Sequence, residues 1–566
     1  MMPAAKNLAP ILISVALLAV GLTANSGAAR AASPGPGTGS TPPARATATV
    51  TVDTGTALGV IPPVAFGLNA SAYDGALLDP DIPGLVRAAG VGIMRYPGGA
   101  EADVYHWQDN TITPITPGNL GGYADPNNTY DHFIGVASSA GAQAMLTVNY
   151  GSNISGTAGG DPQEAAAWVR DANVVKHYGV TYWEIGNEVY GNGTYGPYFE
   201  TDLHPDKGPA AYANHALEYI TAMKAVDPSI KVGAVLTAPG NYPDGQTSAL
   251  SPQPWNDTVL PILCSAIDFV DVHWYPQDPA SQNPNPLPES DARLLQSPAQ
   301  GNGTRTPSIP AMVATLRAKI AQYCPSRAAQ IQIMITETNS VSYNPGKQTV
   351  SLVNALFLDD NYMTWLENGV TNVDWFQLHN GPMTGANINT SPSLYGTATY
   401  GDYGILSNGQ APELAADTPF PPYYGLQMRT HLGRPGDQMI ASSSDTAMIT
   451  AHAVKRADGS LAVLLIKGPG RQLRRGAVPV RLYGGPYPDR LSYGMNSAAI
   501  SSTTDASSAN ITVGPYSLTT LVLKPSSSSG NPGGAAATPE LGSGELLALG
   551  FVPVLLLALR RKRRKA

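Results

Sequence analysis

The chain has 566 residues, 43% hydrophobic and 13% charged, with Gly 59 and Pro 50 together making about 19%. That composition excludes a low-complexity disordered chain, and two cysteines exclude a disulfide-dense mini-protein. The net charge of −8 hides a segregation: six Lys and Arg fill 560–565, so everything before residue 560 carries −14, and an acidic body without a basic cluster excludes nucleic acid as a partner. In chain order, residues 1–31 carry one early lysine, an apolar run over 8–22 and Ala29-Arg30-Ala31 as a cleavage site, the layout of a secretory signal peptide. A Pro/Gly/Ser/Thr-rich linker follows over 32–45.

The segment 46–60 opens with alternating Thr, Val and Ala, a strand able to join a sheet elsewhere in the chain. Over 61–424, eight short apolar runs (64–69, 92–96, 143–149, 182–187, 231–236, 267–274, 331–336 and 373–378) alternate with helical patterns. The helices are expected at 81–89, 129–140, 162–178, 210–226, 309–323 and 350–368. Eight β–α steps predict an α/β fold, a (β/α)8 barrel. Over 425–524 short strands separated by Gly, Pro and Asn turns predict a C-terminal β-sandwich. Cys264 and Cys324 fall just before the sixth and seventh barrel strands, at the end away from the chemistry, where they either bridge or stay two buried thiols.

A second Ser/Gly/Pro linker covers 525–540, and 541–566 combines a 14-residue apolar stretch at 546–559 with the basic run. The tail resembles a cell-surface sorting signal, with Thr538-Pro539-Glu540-Leu541-Gly542 where a Leu-Pro-x-Thr-Gly motif would stand. It predicts an exported chain held to membrane or cell wall, the alternative being a solvated basic tail.

Chemistry in such a barrel sits where the strands end. Glu188 follows the fourth predicted strand and Glu337 the seventh. Either one alone reads equally as a helix cap or a salt-bridged rim residue. Together they face each other across the mouth, the arrangement a glycosidase needs: one carboxyl protonates the leaving oxygen and its ionised partner attacks the anomeric carbon. On this reading Glu188 is the protonated acid and Glu337 the nucleophile. No metal-binding spacing is present and no cofactor is expected; the partner is a polysaccharide or oligosaccharide.

The string Arg95-Tyr96-Pro97-Gly98-Gly99, then Tyr105-His106-Trp107-Gln108-Asp109, resembles family 51 glycoside hydrolases, the α-L-arabinofuranosidases. Asn149-Tyr150-Gly151, Gly186-Asn187-Glu188, Asp271-Val272-His273-Trp274-Tyr275, Thr336-Glu337 and Pro421-Pro422-Tyr423-Tyr424 match that family in order over about 46–524. The resemblance implies a retaining (β/α)8 enzyme with Glu188 as acid/base and Glu337 as nucleophile. It implies that Arg95 and Tyr275 hydrogen-bond Glu337, that His273 stands beside them, and that Asn187 binds the hydroxyl next to the anomeric carbon. Gln377 is a further candidate sugar contact, while Trp107 and Trp375 serve equally as packing or as sugar platforms.

Two departures concern the sugar pocket. Ala100 stands where the family pattern has Asn, and 66–71 lacks a Glu; Glu101 and Asn69 are the nearby substitutes. Long loops over 190–207, 276–307 and 380–423 carry Tyr190, Tyr195, Tyr198, Phe199, Tyr395, Tyr400 and Tyr403, either lining a cleft or docking on the sandwich. β-Xylosidases, endoglucanases and β-glucuronidases of the same superfamily, and a non-catalytic glycan-binding surface protein, are the alternatives to an arabinofuranosidase.

Overall fold

The computed structural model describes residues 48–113, 123–192, 200–240, 254–277, 290–302, 307–384, 398–447, 449–468, 478–482, 489–494, 501–504, 510–514 and 516–523. The export signal at 1–31, the linkers at 32–45 and 525–540, the tail at 541–566, and Tyr195, Tyr198, Phe199 and Tyr395 lie outside them. Among the described residues no helix is long and apolar enough to cross a membrane.

Strand β1 (Ala48–Val60) leads into eight parallel strands that close a barrel. In chain order these are β2 (Phe66–Asn69), β3 (Ile93–Tyr96), then after a small hairpin of β4 (Tyr105–His106) and β5 (Thr111–Ile112), β6 (Gln143–Val148), β7 (Tyr182–Ile185), β8 (Lys231–Thr237), β9 (Phe269–Trp274), β10 (Gln332–Thr338) and β11 (Asn372–Trp375). Each pairs with the next, and Val373 opposite Phe66 closes the ring. Every residue of β2, β3, β7, β9 and β11 is buried, as strands covered on both faces require.

The helices lie between the strands, and local chemistry starts several of them. Thr129 Oγ1 caps Tyr130–Ala140 by accepting from His132 N, and Asp161 caps Pro162–Val169 by accepting from Gln163 N at 2.8 Å. One helix the periodicity missed, Trp255–Leu263, fills the step after β8; Pro261 lies inside it and obscures the pattern.

The C-terminal strands are β12 (Gln438–Ser444), β13 (Ile449–Lys455), β14 (Leu461–Lys467), β15 (Val478–Leu482), β16 (Asp489–Gly494), β17 (Ser501–Thr504), β18 (Asn510–Val513) and β19 (Ser517–Leu523). They form one nine-stranded sheet in the order β17-β16-β19-β14-β13-β12-β1-β15-β18, with only β1–β15 parallel. Strands β19 and β18 stand six places apart, yet Leu521 and Val513 join one apolar cluster with Val50, Ala453 and Val463. The sheet therefore folds over on itself as a sandwich. The helix Pro421–Thr430 spans the 424/425 junction expected from sequence, and the sheet resumes at Gln438.

A single apolar core runs from barrel to sandwich, including Leu68, Trp183 and Trp375 on one side and Val454, Leu464 and Leu518 on the other. The helix Leu352–Glu367 lies within it and is buried along almost its whole length. His452 of β13 reaches back to this helix, 3.0 Å from Glu367 Oε1 and 3.2 Å from Asp360 Oδ1.

Cys264 and Cys324 are joined by a disulfide, their Cα atoms 5.2 Å apart and 60 residues apart in sequence. Closing a loop of that length is worth about 4 kcal/mol in the chain-entropy picture. Replacing both cysteines with serine should lower stability by up to about that amount, read as a fall in the denaturation midpoint. An unchanged midpoint would show that the bond carries no stability.

Candidate active site

The site is built around Arg95, in β3. Its side chain is wholly buried, and Nε donates to Glu184 Oε2 at 2.5 Å, Nη1 to Glu337 Oε1 and to Asn69 Oδ1 at 2.9 Å, and Nη2 to Asn187 Oδ1 at 2.9 Å. Burial works against the guanidinium's charge, but Glu184, Glu337 and Asp271 outweigh it and raise its pKa further. Glu184 lies inside β7, where a carboxyl among buried residues requires a partner; Thr147 Oγ1 also donates to it, at 2.6 Å.

Glu337 is not the residue after the seventh strand but lies inside β10. The pairing of β10 with both neighbours shifts register just before it, a bulge that re-aims the side chain. Tyr275 OH donates to its Oε2 at 2.8 Å, so each carboxyl oxygen of Glu337 has a donor.

Glu188 directly follows Gly186-Asn187, three residues past the end of β7, with φ 37 and ψ 36. The left-handed conformation in a residue with a Cβ costs on the order of 1–3 kcal/mol and follows a positive-φ Gly186 (φ 75). The turn brings Glu188 Oε1 to 2.9 Å from both His273 Nδ1 and Tyr190 OH. His273 Nδ1 also lies 3.4 Å from Glu337 Oε2, and its Nε2 is 3.5 Å from Asp271 Oδ1. The ligand atoms of Glu188, His273 and Glu337 all lie within 4.8 Å of one another.

This geometry bears on where the proton of the pair resides. Burial disfavours charge on His273, but Glu337, Asp271 and Glu188 overcome it and push the imidazole up to about 9. Burial would likewise raise the Glu188 carboxyl, yet its hydrogen bond and attraction to His273, with help from Tyr190 and Arg95, bring it below the ordinary glutamate value. Both shifts favour the proton on His273, whereas the expectation from sequence has it on Glu188. The described residues contain one trio close enough to share a metal ion, these same three.

The other expected site residues divide. Asn187 is in place, held between Arg95 and Glu200, to whose Oε1 its Nδ2 donates at 2.9 Å. Gln377 bonds to Tyr73, Asn380 and Ser71, not to either carboxyl. Asn69 is no free substitute for a missing sugar contact, since it accepts from Arg95 and donates to Thr336 O at 2.9 Å. Glu101 does face this region; burial, then the nearby Glu337, push its carboxyl up to about 7. Trp107 stacks on Trp168 and Trp375 is buried against Phe357 and Tyr362, so both are packing. Tyr400 packs on Phe420, and Tyr403 OH donates to Val341 O, so those loop tyrosines are docked rather than displayed in a cleft. The sequence reading missed Glu184, Asp103 and Glu200. A glutamate inside the buried run 182–187 was the one available signal.

No protein-family model matches the chain. Over 225 residues it is 27% identical to a probable alpha-L-arabinofuranosidase C of Aspergillus niger, covering 35% of this chain. The matched part spans 40% of that relative's length. Among solved structures, an alpha-L-arabinofuranosidase from Thermotoga maritima superposes with a TM-score of 0.60 at 18% identity, over 84% of this chain and 100% of that one. A family 44 xyloglucanase from Paenibacillus polymyxa does so with a TM-score of 0.59 at 15% identity, over 85% and 100%. At such identities the structural likeness is one of fold. Together with the ordered motifs, the comparisons make the chain similar to family 51 arabinofuranosidases.

Arg95→Met should leave Glu184 and Glu337 buried without their cation and cost about 3–5 kcal/mol. Chemical denaturation checks this; a loss below about 1 kcal/mol would mean that the guanidinium is dispensable to the fold.

Proposed function

We propose that the protein is a retaining glycoside hydrolase that releases α-L-arabinofuranosyl residues from a polysaccharide or oligosaccharide. The observation that carries this is the pair Glu188 and Glu337, with oxygens within 4.8 Å across the barrel mouth and His273 Nδ1 beside both. A spacing of about 5 Å suits a covalent glycosyl intermediate, whereas inversion needs room for water between the carboxyls.

In this mechanism Glu337, oriented by Arg95 and Tyr275, attacks the anomeric carbon. The leaving oxygen takes its proton from Glu188, which draws it from His273 along their 2.9 Å hydrogen bond. Glu188, now ionised, then takes a proton from water as that water opens the glycosyl ester. Asn187 binds the hydroxyl beside the reacting carbon. Ala100 and the occupied Asn69 leave the sugar pocket short of two of the resemblance's contacts. β-Xylosidase, endoglucanase and β-glucuronidase substrates therefore belong in the same panel. The sequence reading extends this to an exported enzyme tethered to the cell surface through 541–566, which fractionation of intact cells tests.

On aryl α-L-arabinofuranosides, Glu337→Gln should abolish turnover. Glu188→Gln should lose about 10²–10⁴-fold on poor leaving groups and much less on good ones. Normal hydrolysis by Glu337→Gln, or inversion at the anomeric carbon seen by proton NMR, would sink the mechanism; binding without hydrolysis across the panel would make the chain a glycan-binding protein.

The pH dependence has a definite sign. His273 is raised from 6.5 to about 9, so the contacts its charge makes are complete below pH 6.5 and are lost as pH passes 9. The alkaline limb of kcat/KM should fall near 9, and a limb near 6.5 would contradict the placement of the proton.

A further inference from the structure

Behind the acid/base loop lie two carboxyls that the proposed chemistry does not use. Asp103 belongs to the 3-10 turn Gly99–Val104 after β3, and Glu200 returns the chain after the loop that follows Glu188. Both are buried, Asp103 wholly and Glu200 to 2% exposure. The main-chain N of Asn187 donates to both oxygens of Asp103, at 3.2 and 3.3 Å. The side-chain Nδ2 of Asn187 donates to Glu200 Oε1, and Glu200 N donates to Gly191 O at 3.2 Å. Asn187 and the turn carrying Glu188 are thus gripped from two sides.

The two carboxyls hold one residue, Asn187, and lie close enough to act on each other. Carboxylates have no hydrogens, so a hydrogen bond between them would require a proton on one. Glu200 Oε2 is buried, and no N–H or O–H donor of the described residues reaches it, which leaves it as the oxygen able to carry a proton. The surroundings offer little compensation. Asp202 adds a third carboxyl near Asp103, itself 2.8 Å from His204, while Glu188 and Glu337 act on Glu200. Tyr150, Tyr212 and Tyr219 stand near Asp103 as neutral phenols. Arg95 touches only the other end of the Asn187 amide.

We propose that Asp103 and Glu200 share a single proton and together act as a positioning pair that fixes the Asn187 amide and, through its peptide, the acid/base Glu188. Burial, followed by mutual repulsion in the case of Glu200, raises both carboxyls well above the ordinary range, consistent with a proton retained at neutral pH. With Oδ1 held by Arg95 and one Nδ2 hydrogen held by Glu200, the amide keeps one hydrogen for the sugar hydroxyl. The left-handed turn at Glu188 is held by the same contacts. This role rests on the glycosidase reading; the shared proton does not.

The test uses the whole chain and two variants. Glu200→Gln keeps both functions, since its amide oxygen accepts from Asn187 and its N–H donates to Asp103, whereas Glu200→Ala keeps neither. On an aryl α-L-arabinofuranoside, Glu200→Ala should lower kcat roughly 10- to 100-fold with a much smaller change in KM, and Glu200→Gln should recover most of that loss. Infrared spectra at pH 8 without substrate should show the C=O stretch of a protonated carboxylic acid in the wild type that is missing from Glu200→Gln. Identical spectra would overturn the shared proton. Full activity in Glu200→Ala, or equal impairment in both variants, would overturn the positioning role. The infrared comparison needs only wild type and Glu200→Gln, so it decides even if Glu200→Ala fails to fold. A wild type that shows the band but cleaves no glycoside would instead overturn the glycosidase reading.

Discussion

A guanidinium buried without water must find all its hydrogen-bond acceptors within the protein, and around Arg95 this requirement organises the barrel mouth. Its acceptors come from β2 (Asn69), β7 (Glu184), the turn after β7 (Asn187) and β10 (Glu337). Desolvating such a charge is costly, and only a full set of partners offsets it. The strands that supply them are therefore tied in register as well as in direction. One nucleophile candidate and the residue before the acid/base candidate hang from the same group, so their separation is set by a rigid planar fork and not by two flexible side chains.

The site holds more acidic groups than cations, and protons make up part of the difference. Glu184, Glu188, Glu337 and Asp271 share Arg95 and His273, and the proposed shared proton would serve Asp103 and Glu200. Burial and repulsion push Asp271 up to about 7, which shows how near the balance lies. In this setting His273 is the natural place for the mobile proton, because it touches both reactive carboxyls at once. A pair that must alternate between giving and taking a proton gains from a third group that stores it within hydrogen-bond reach.

Much of this could be read from sequence for a physical reason. Parallel strands covered on both faces appear as continuous apolar runs, and a glutamate at the end of such a run stands out, as Glu188 and Glu337 do. Arg95 and Tyr275 were legible only through their motifs. What escaped depends on three-dimensional contact. The bulge that draws Glu337 into β10 leaves no trace in composition, and Pro261 hid a helix. The proton state of Glu188 was not legible because it depends on His273, 85 residues away in sequence. Asp103 and Glu200 look like ordinary loop acids until the fold buries them together. The aromatic loops, left open between cleft and docking, divide: Tyr190 bonds to Glu188, whereas Tyr400 and Tyr403 pack inward.

The same electrostatics bear on which sugar the pocket accepts. Asn69 is committed to Arg95 and Thr336, which leaves Glu101 at that wall, near Tyr73 and the Gln377 that Tyr73 bonds. Glu101 lies close enough to Glu337 for the two to repel, and the cations nearest the reaction are already engaged by carboxyls. A uronic acid would add a further negative charge to that mouth, whereas a neutral sugar brings hydroxyl donors to carboxyl oxygens that lack them. A glucuronide therefore suits this charge distribution less well than a neutral sugar does. The carboxyl of Glu101, poised near neutrality, can then either donate or accept in the contact that a family asparagine would otherwise make.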